Sequence, residues 1–189
     1  MMTNSAVLDA DVLFSGAMRD FLLRLAADGL FIPFWSAEIQ NEWTRSVLRK
    51  YPDVKPEKLE YTCREMDGSF PKALIHGYDS LIPGLQLPDP DDRHVLAVAI
   101  HMKAGYIVTK NLVDFPQMAL EPHGIKVLSP DDFVYRLIQQ KPIQVLAAAK
   151  THRSELRRPS KTADEYIAKL EQLRFLKTVE FLRKHKGDI

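Results

Sequence analysis

The sequence has little of what disulfide-bonded, cysteine-ligated or membrane-spanning proteins need. Among its 189 residues Cys63 is the single cysteine, which excludes an internal disulfide and a cysteine-based zinc site. The six histidines are nowhere paired at the spacing of metal ligands. No run of about 18 apolar residues occurs, so no membrane span is expected. The N-terminus also lacks the basic start of a signal peptide. These absences predict a protein of the reducing cytoplasm.

An excess of charge of one sign is also missing, because the formal net charge is only +1. The charge is nevertheless unevenly distributed. Residues 139–189 hold 12 Lys and Arg against 6 Asp and Glu, whereas residues 1–138 hold 14 against 19. The basic C-terminal part is a candidate surface for nucleic acid. The ordinary alternative is that helical tails are often Lys-rich because they are solvated.

Short apolar segments alternate with helical patterns up to about residue 140, a length that suits one hydrophobic core. Strands are predicted at 5–9, 30–34, 73–76, 106–109 and 126–128, and helices at 17–28, 36–50, 56–66, 95–103 and 130–140. This alternation predicts an α/β fold with a central, mainly parallel sheet covered on both faces. Gly29 and Gly105 are expected to end the helices that precede them.

From Pro142 onward the pattern is purely helical. Pro142 is predicted to start a helix that runs to about Arg157 and is broken at 158–160. Thr162 and Glu165 predict a capping box for a second helix, and a third is expected at about 175–186. The sequence thus predicts a domain over residues 5–138 and a helical C-terminal extension over residues 139–189, packed on that domain.

Oxygen-bearing side chains end predicted strands or start predicted helices at four places. They are Asp9 and Asp11 after the first strand, Glu42 in a helix, Asp89, Asp91 and Asp92 before another helix, and Thr109, Asn111 and Asp114 after the fourth strand. Because ligands bind at the carboxyl ends of parallel strands, these side chains are candidates for one crevice. Asp9 and Asp11, two apart on an extended chain, are expected to point the same way. Neighbouring carboxylates are unfavourable unless a cation such as Mg²⁺ or Mn²⁺ lies between them.

Each place also has an ordinary structural alternative. The first pair of aspartates could cap a turn or a helix. Glu42, with Glu38 and Arg45 nearby, could belong to a solvated helix face. One carboxylate suffices to start the helix that follows Asp89, which leaves Asp92 as the spare acid. The hydroxyl, amide and carboxylate that follow the fourth strand could serve only the turn.

Taken together, these segments resemble the PIN-domain nucleases, and more closely the VapC-type toxins of bacterial toxin–antitoxin pairs. The resemblance covers roughly residues 5–138, with its motifs in the family's order. Val-Leu-Asp-Ala-Asp-Val-Leu at 7–13 matches the opening pattern, with Asp11 where Asn or Ser is more usual. Ile-Val-Thr-Lys-Asn-Leu-Val-Asp-Phe-Pro at 107–116 is the most specific match. Asn111 stands there at a position that is Asp or Asn in the family, so Asp114 is a candidate for the fourth carboxylate.

The resemblance implies a three-layer PIN-like fold and an endoribonuclease that depends on Mg²⁺ or Mn²⁺ and leaves 5′-phosphate and 3′-hydroxyl ends. The implied catalytic and metal-binding residues are Asp9, Glu42, Asp92 and Asp114, with Asn111 and Asp11 as further candidate ligands and Thr109 orienting the water or a ligand. The implied partners are an RNA substrate, an antitoxin protein that blocks the site, and a second copy of the chain in a homodimer.

Two other functions fit parts of the sequence. Asp9-Ala-Asp-Val-Leu also fits the opening of haloacid-dehalogenase-type phosphatases, in which Asp9 would be the nucleophile and Asp11 the general acid. That family places its paired acids after the threonine, whereas Asp92 precedes Thr109 here. A catalytically inactive PIN module that binds RNA or protein is the other alternative, although both Asp9 and Asp92 are present. Among active nucleases, a toxin and a housekeeping RNA-processing enzyme are not distinguished.

Overall fold

The computed structural model describes residues 4–156 and 159–189. The described chain divides into two compact units, the first formed by residues 4–15 and 32–128 and the second by the remainder. The domain boundary expected at residue 138 stays a prediction. The helix end expected near Arg157 and the break expected at Arg158 lie outside the described residues.

The first unit is built on a parallel sheet. Its strands in the described residues are β1 (Ser5–Leu8), β2 (Ile32–Ser36), β3 (Leu74–Ile75), β4 (Tyr106–Val108) and β5 (Lys126–Leu128). Their order is β3–β2–β1–β4–β5, and each neighbouring pair is parallel. All four residues of the central strand β1 are buried, as expected for a strand covered on both faces. The predicted α/β fold with a central parallel sheet is confirmed.

Helices flank this sheet and make up the C-terminal part. They are α1 (Ala10–Leu13), α2 (Gly16–Ala27), α3 (Ala37–Lys50), α4 (Pro56–Ser69), α5 (Arg93–His101), α6 (Gln117–Leu120), α7 (Pro130–Gln140), α8 (Pro142–Glu155), α9 (Ala163–Gln172) and α10 (Leu176–Lys184). Short 3₁₀ turns cover Asp79–Gly84, Pro90–Asp92, Leu112–Asp114, Glu121–His123 and Lys186–Asp188. The predicted helices are all present, whereas α1 and α6 were not predicted. Within the described residues, no helix has both the length and the apolar composition needed to cross a bilayer.

The strand register brings two chain segments together at one edge of the sheet. Leu8 of β1 lies opposite Val108 of β4, and the Asp9 N–H continues the ladder by donating to the Val108 carbonyl at 3.1 Å. Asp9 and Thr109, the residues that follow Leu8 and Val108, therefore lie next to each other at this edge of the sheet. At the end of β2, the Ser36 hydroxyl accepts a hydrogen bond from the Ile39 N–H at 3.2 Å, which confirms Ser36 as the N-cap of α3.

Two helix ends show how far glycine predicts a stop. Gly29 follows α2 with a φ of 73°, and the Leu30 N–H donates to the Leu25 carbonyl, so the expected glycine C-cap is confirmed. The expectation for Gly105 is wrong, because Lys103 adopts the left-handed conformation after α5, with a φ of 50°. The chain has to turn there to enter β4, and a lysine in that conformation costs on the order of 1 kcal/mol.

The second unit has an aromatic core. Phe21 of α2 contacts Phe175 edge-on, with ring centroids 5.3 Å apart, and lies 5.7 Å from the ring of His152. The predicted capping box is confirmed: the Glu165 N–H donates to the Thr162 hydroxyl at 3.2 Å, and the Thr162 N–H donates to the Glu165 carboxylate at 2.9 Å. Packing of aromatic rings and satisfied helix ends stabilise this unit.

His152 is a buried titratable group in this core. It is 8% exposed, and its Nδ1 lies 3.0 Å from the Tyr166 hydroxyl. Burial, with a smaller contribution from the charge of Arg24, lowers the pKa of His152 to about 4. Burial also raises the pKa of Tyr166, so the tyrosine keeps its proton and can donate it to a neutral His152.

We expect the second unit to lose stability in mild acid because of His152. Between about pH 6.5 and pH 4 the unfolded chain binds a proton that the folded chain excludes, so the free energy of unfolding falls as the pH falls, by about 3 kcal/mol. His152→Asn keeps an acceptor for Tyr166 but does not titrate, and should remove this slope whatever its effect at pH 8. Urea unfolding of both proteins across this range measures the slope. If the free energy of unfolding depended on pH in the same way in both proteins, His152 would not be the group responsible.

Candidate active site

Asp9 and Asp11 lie where β1 passes into α1. Asp9 is extended, with φ −70° and ψ 158°, and its Oδ1 accepts a hydrogen bond from the Ala10 N–H at 2.7 Å. Asp9 is therefore the N-cap of α1. The expectation that both aspartates lie on one extended strand is wrong, because Asp11 already belongs to the first turn of α1. A helical turn, and not strand alternation, places the two carboxylates near each other.

Thr109 joins the two aspartates. Its side chain is fully buried, and its hydroxyl donates to Asp9 Oδ2 at 2.7 Å, with Asp11 Oδ2 farther away at 3.3 Å. The single hydroxyl proton belongs with the nearer oxygen. The same hydroxyl oxygen accepts from the Asn111 N–H at 3.0 Å. Thr109 thus fixes the orientation of Asp9 and contacts Asp11, both of which follow a different strand.

Asp11 is held mainly by the backbone of the chain after β4. Its Oδ2 accepts from the Lys110 N–H at 2.8 Å. Its Oδ1 is buried and has no hydrogen-bond partner among the described residues. Burial raises the pKa of Asp11, and the charge of Lys110 opposes that rise. A buried carboxylate oxygen without a donor is costly unless something outside the chain satisfies it.

In the third group of acids, Asp89 and Asp92 have different roles. Asp89 Oδ1 accepts from the Asp91 N–H at 2.9 Å and caps the turn before α5. Asp92 makes no capping hydrogen bond, as the sequence predicted for a spare acid. Carboxylate oxygens of Asp89, Asp92 and Asp114 all lie within 4.8 Å of one another. The Asn111 side-chain amide donates to Asp114 Oδ2, so Asn111 orients Asp114.

The carboxylates of Asp9, Asp11 and Asp92 perturb one another's ionisation. Burial, followed by the charge of Asp11, raises the pKa of Asp9 to about 6, although the hydrogen bonds from Thr109 and Ala10 oppose the rise. Burial, followed by the charge of Asp9, raises the pKa of Asp92 to about 7. Such shifts arise where negative charges are held together and partly removed from water. A cation at this place would relieve the repulsion.

Glu42 reaches the site from α3 and has a partner that sequence spacing missed. His94, 3% exposed on α5, lies with Nε2 2.9 Å from Glu42 Oε1 and Nδ1 3.6 Å from Glu38 Oε2. Burial lowers the pKa of His94, but the hydrogen bond and charge of Glu42 and the charge of Glu38 outweigh it, so the net pKa is raised. The spacing of the histidines along the sequence does not indicate this contact. The useful signal was a histidine inside an otherwise apolar helix, because a buried polar side chain requires a partner.

Five of the seven predicted site residues line one cleft of about 430 Å³ in the first unit. The cleft is lined by Asp9, Ala10, Asp11, Phe14, Glu42, Ser46, Asp92, Lys110 and Asn111. Thr109 hydrogen-bonds the lining aspartates, and Asp114 neighbours Asp92. Grouped carboxylate oxygens with raised pKa values, together with an unsatisfied carboxylate oxygen on Asp11, fit a hard divalent cation such as Mg²⁺ or Mn²⁺.

Comparisons with known proteins match two parts of the chain to family models. Residues 5–112 match the family model described as "PIN domain", and residues 130–184 match the model described as "VapC50 C-terminal domain". A protein named "Putative ribonuclease VapC50" from Mycobacterium tuberculosis (strain ATCC 25618 / H37Rv) is 48% identical over 62 residues, which is 33% of this chain and 36% of that protein. The match thus spans about a third of the relative's length. No solved structure matches significantly.

Proposed function

Because this chain belongs to the PIN-domain family, we propose that it is a divalent-metal-dependent endoribonuclease and the toxin of a toxin–antitoxin pair. One observation carries the proposal of a nuclease: acids from three separate elements, Asp9, Glu42 and Asp92, line a single cleft. Acids dispersed in sequence and gathered in space are the arrangement that metal-dependent phosphodiester hydrolysis uses. The match of residues 130–184 to the model described as "VapC50 C-terminal domain" supports the proposal that the chain is a toxin.

Asp9, Asp92 and Asp114 would hold the metal, directly or through water, with Glu42 completing the site and Asp11 and Asn111 as further candidate ligands. The chemistry that a bound divalent ion supplies is activation of water and stabilisation of the charge that develops on the scissile phosphate. The raised pKa values of Asp9 and Asp92 support this role, because a nearby cation favours the ionised form of each carboxylate.

The other polar residues of the cleft position these acids. Thr109 orients Asp9 through its hydroxyl, Asn111 orients Asp114 through its amide, and His94 holds Glu42. Lys110 lines the cleft and offers a cation to the phosphate oxygens of a substrate. Asp9, Asp114 and Glu42 are then each held by a hydrogen bond before substrate arrives, which serves the geometric requirement for catalysis of this kind.

The test of the proposed function is metal-dependent cleavage of total cellular RNA. We expect the purified chain to produce discrete fragments with Mg²⁺ or Mn²⁺, with 5′-phosphate and 3′-hydroxyl ends, and no fragments when EDTA removes the metal. Sequencing of the fragment ends would name the substrate. Undiminished cleavage in EDTA would contradict a metal-dependent mechanism. Turnover of small phosphate esters in place of RNA would instead favour the phosphatase alternative, which the PIN-domain match does not favour.

The partners and setting follow from the same proposal. We propose an antitoxin protein that blocks the cleft, a homodimer, and a cytoplasmic location, the last consistent with a sequence that contains a single cysteine. Growth arrest on expression, relieved by the product of a neighbouring small gene, would distinguish a toxin from a housekeeping nuclease. An inactive binding module would neither arrest growth nor cleave RNA.

A further inference from the structure

An aromatic pair extends the cleft beyond its acidic residues. Phe14, at the end of α1, lines the cleft, and its ring stacks with that of Tyr51 with centroids 6.3 Å apart and an interplanar angle of 22°. Tyr51 follows α3 and is 48% exposed. The pair therefore connects the catalytic cleft to an aromatic ring that is open to solvent.

A lysine accompanies both rings. Lys50 Nζ lies 5.3 Å from the centroid of Phe14 and 5.6 Å from that of Tyr51. Glu42, Ser46 and Lys50 are each four residues apart on α3, so they follow one face of the helix. Glu42 and Ser46 line the cleft. Lys50 lies about 12 Å from Glu42 along the same face of the helix, next to the aromatic pair.

Local structure explains only part of this arrangement. Lys50 in the last turn of α3 suits the helix dipole, and the Tyr51 N–H donates to the Val47 carbonyl to end the helix. A backbone N–H from any residue but proline would serve that end. Neither explanation requires a large aromatic ring that is half exposed beside a second ring at the catalytic cleft.

We propose that Phe14, Tyr51 and Lys50 form a subsite that binds a nucleobase of single-stranded RNA beside the cleavage position, an inference that rests on the proposed function. An unpaired base can stack on an exposed aromatic face, whereas bases inside a duplex already stack on one another. Lys50 would neutralise an adjacent phosphate. Substrates cut by this chain are therefore unpaired at the position that contacts Tyr51.

The test measures RNA binding by the full chain carrying Asp92→Asn, which is expected to slow cleavage at least about a hundredfold, with a fluorescent single-stranded RNA in Mg²⁺. Tyr51→Leu keeps apolar bulk but removes the aromatic face, and should weaken binding about tenfold. Tyr51→Phe keeps the face and should restore binding. Tyr61→Leu alters a tyrosine on α4 that is 56% exposed and does not line the cleft, so it should bind like the parent.

Three results would each overturn the inference while leaving the nuclease intact. One is equal binding by Tyr51→Leu and Tyr61→Leu. Another is competition by duplex RNA as effective as competition by single-stranded RNA. In the active chain, Tyr51→Leu should raise KM by a similar factor while kcat changes little, and an unchanged KM would likewise overturn it. If the active chain cleaves no RNA and the Asp92→Asn chain binds none, the proposed function fails, and the subsite fails with it. Thermal unfolding of each variant verifies that the protein is folded.

Discussion

Asp92→Asn is expected to lower the rate of RNA cleavage by at least about a hundredfold, and on the order of a thousandfold if the ion is lost, because several kcal/mol of transition-state stabilisation go with it. The substitution keeps the size of the side chain and removes its charge. Asp92 makes no capping hydrogen bond, so the fold should be unaffected. Initial rates on a defined RNA, with circular dichroism of the same preparation, measure both effects.

The chain offers a matched control for this experiment. Asp91 is the neighbouring acid in the same turn, is exposed, and is not among the residues that line the cleft. Asp91→Asn should therefore cleave RNA at close to the normal rate. Asp9→Asn should behave like Asp92→Asn. Equal activity of the Asp91 and Asp92 variants would refute the assignment of the site. The loss of one negative charge from either residue would then have the same effect on the rate.

Asp9→Asn is expected to stabilise the metal-free protein at about pH 8 by up to about 3 kcal/mol. Asp9 is 6% exposed, and its pKa is raised to about 6 from an ordinary value of 3.8. Between these two values the folded chain retains a proton that the unfolded chain has released. The free energy of unfolding therefore decreases as the pH rises through this window, and the whole loss is present above about pH 6. Asparagine carries no charge and avoids the loss.

Urea unfolding in EDTA at about pH 4 and pH 8 measures this effect, and the two proteins should differ at the higher pH. The trend is opposite in sign to that of His152, so the two groups can be separated by their variants. Adding Mg²⁺ at pH 8 should stabilise the natural chain and affect Asp9→Asn much less, since a ligand that binds only the folded state stabilises it. At about pH 8 in EDTA, a natural chain as stable as the variant would show that the surroundings of Asp9 do not disfavour its ionised carboxylate.

The sequence predicted the strands and helices well because the signals that start and end them lie within a few residues of one another. Ser36, the capping box at Thr162 and the stop at Gly29 act through hydrogen bonds or backbone angles within a few residues. The apolar strand β1 reads as buried on both faces without knowledge of its neighbours. Alternation of strands and helices then leaves few topologies other than a parallel sheet.

The contacts that the sequence did not specify are those between residues far apart along the chain. His94 and Glu42 are 52 residues apart, and Thr109 and Asp9 are 100 residues apart. Nothing in the segment around either residue specifies the other. The turn of α1 directly after Asp9 was also missed, because four helical residues are too few to show a periodic pattern. The left-handed Lys103 was missed because glycine is the usual residue there.

The amino-acid sequence by itself determined the order of strands and helices, the parallel sheet and the set of acids available for a metal site. These depend on hydrophobic periodicity, capping residues and short motifs, each of which acts over one element. Only the tertiary structure decided how those acids are oriented, which residues hold them and where Phe14 and Tyr51 meet. Those contacts exist only after distant segments are packed together. Orientation, pKa shifts and partner residues therefore belong to the folded chain, because burial and the charge of neighbours arise only there.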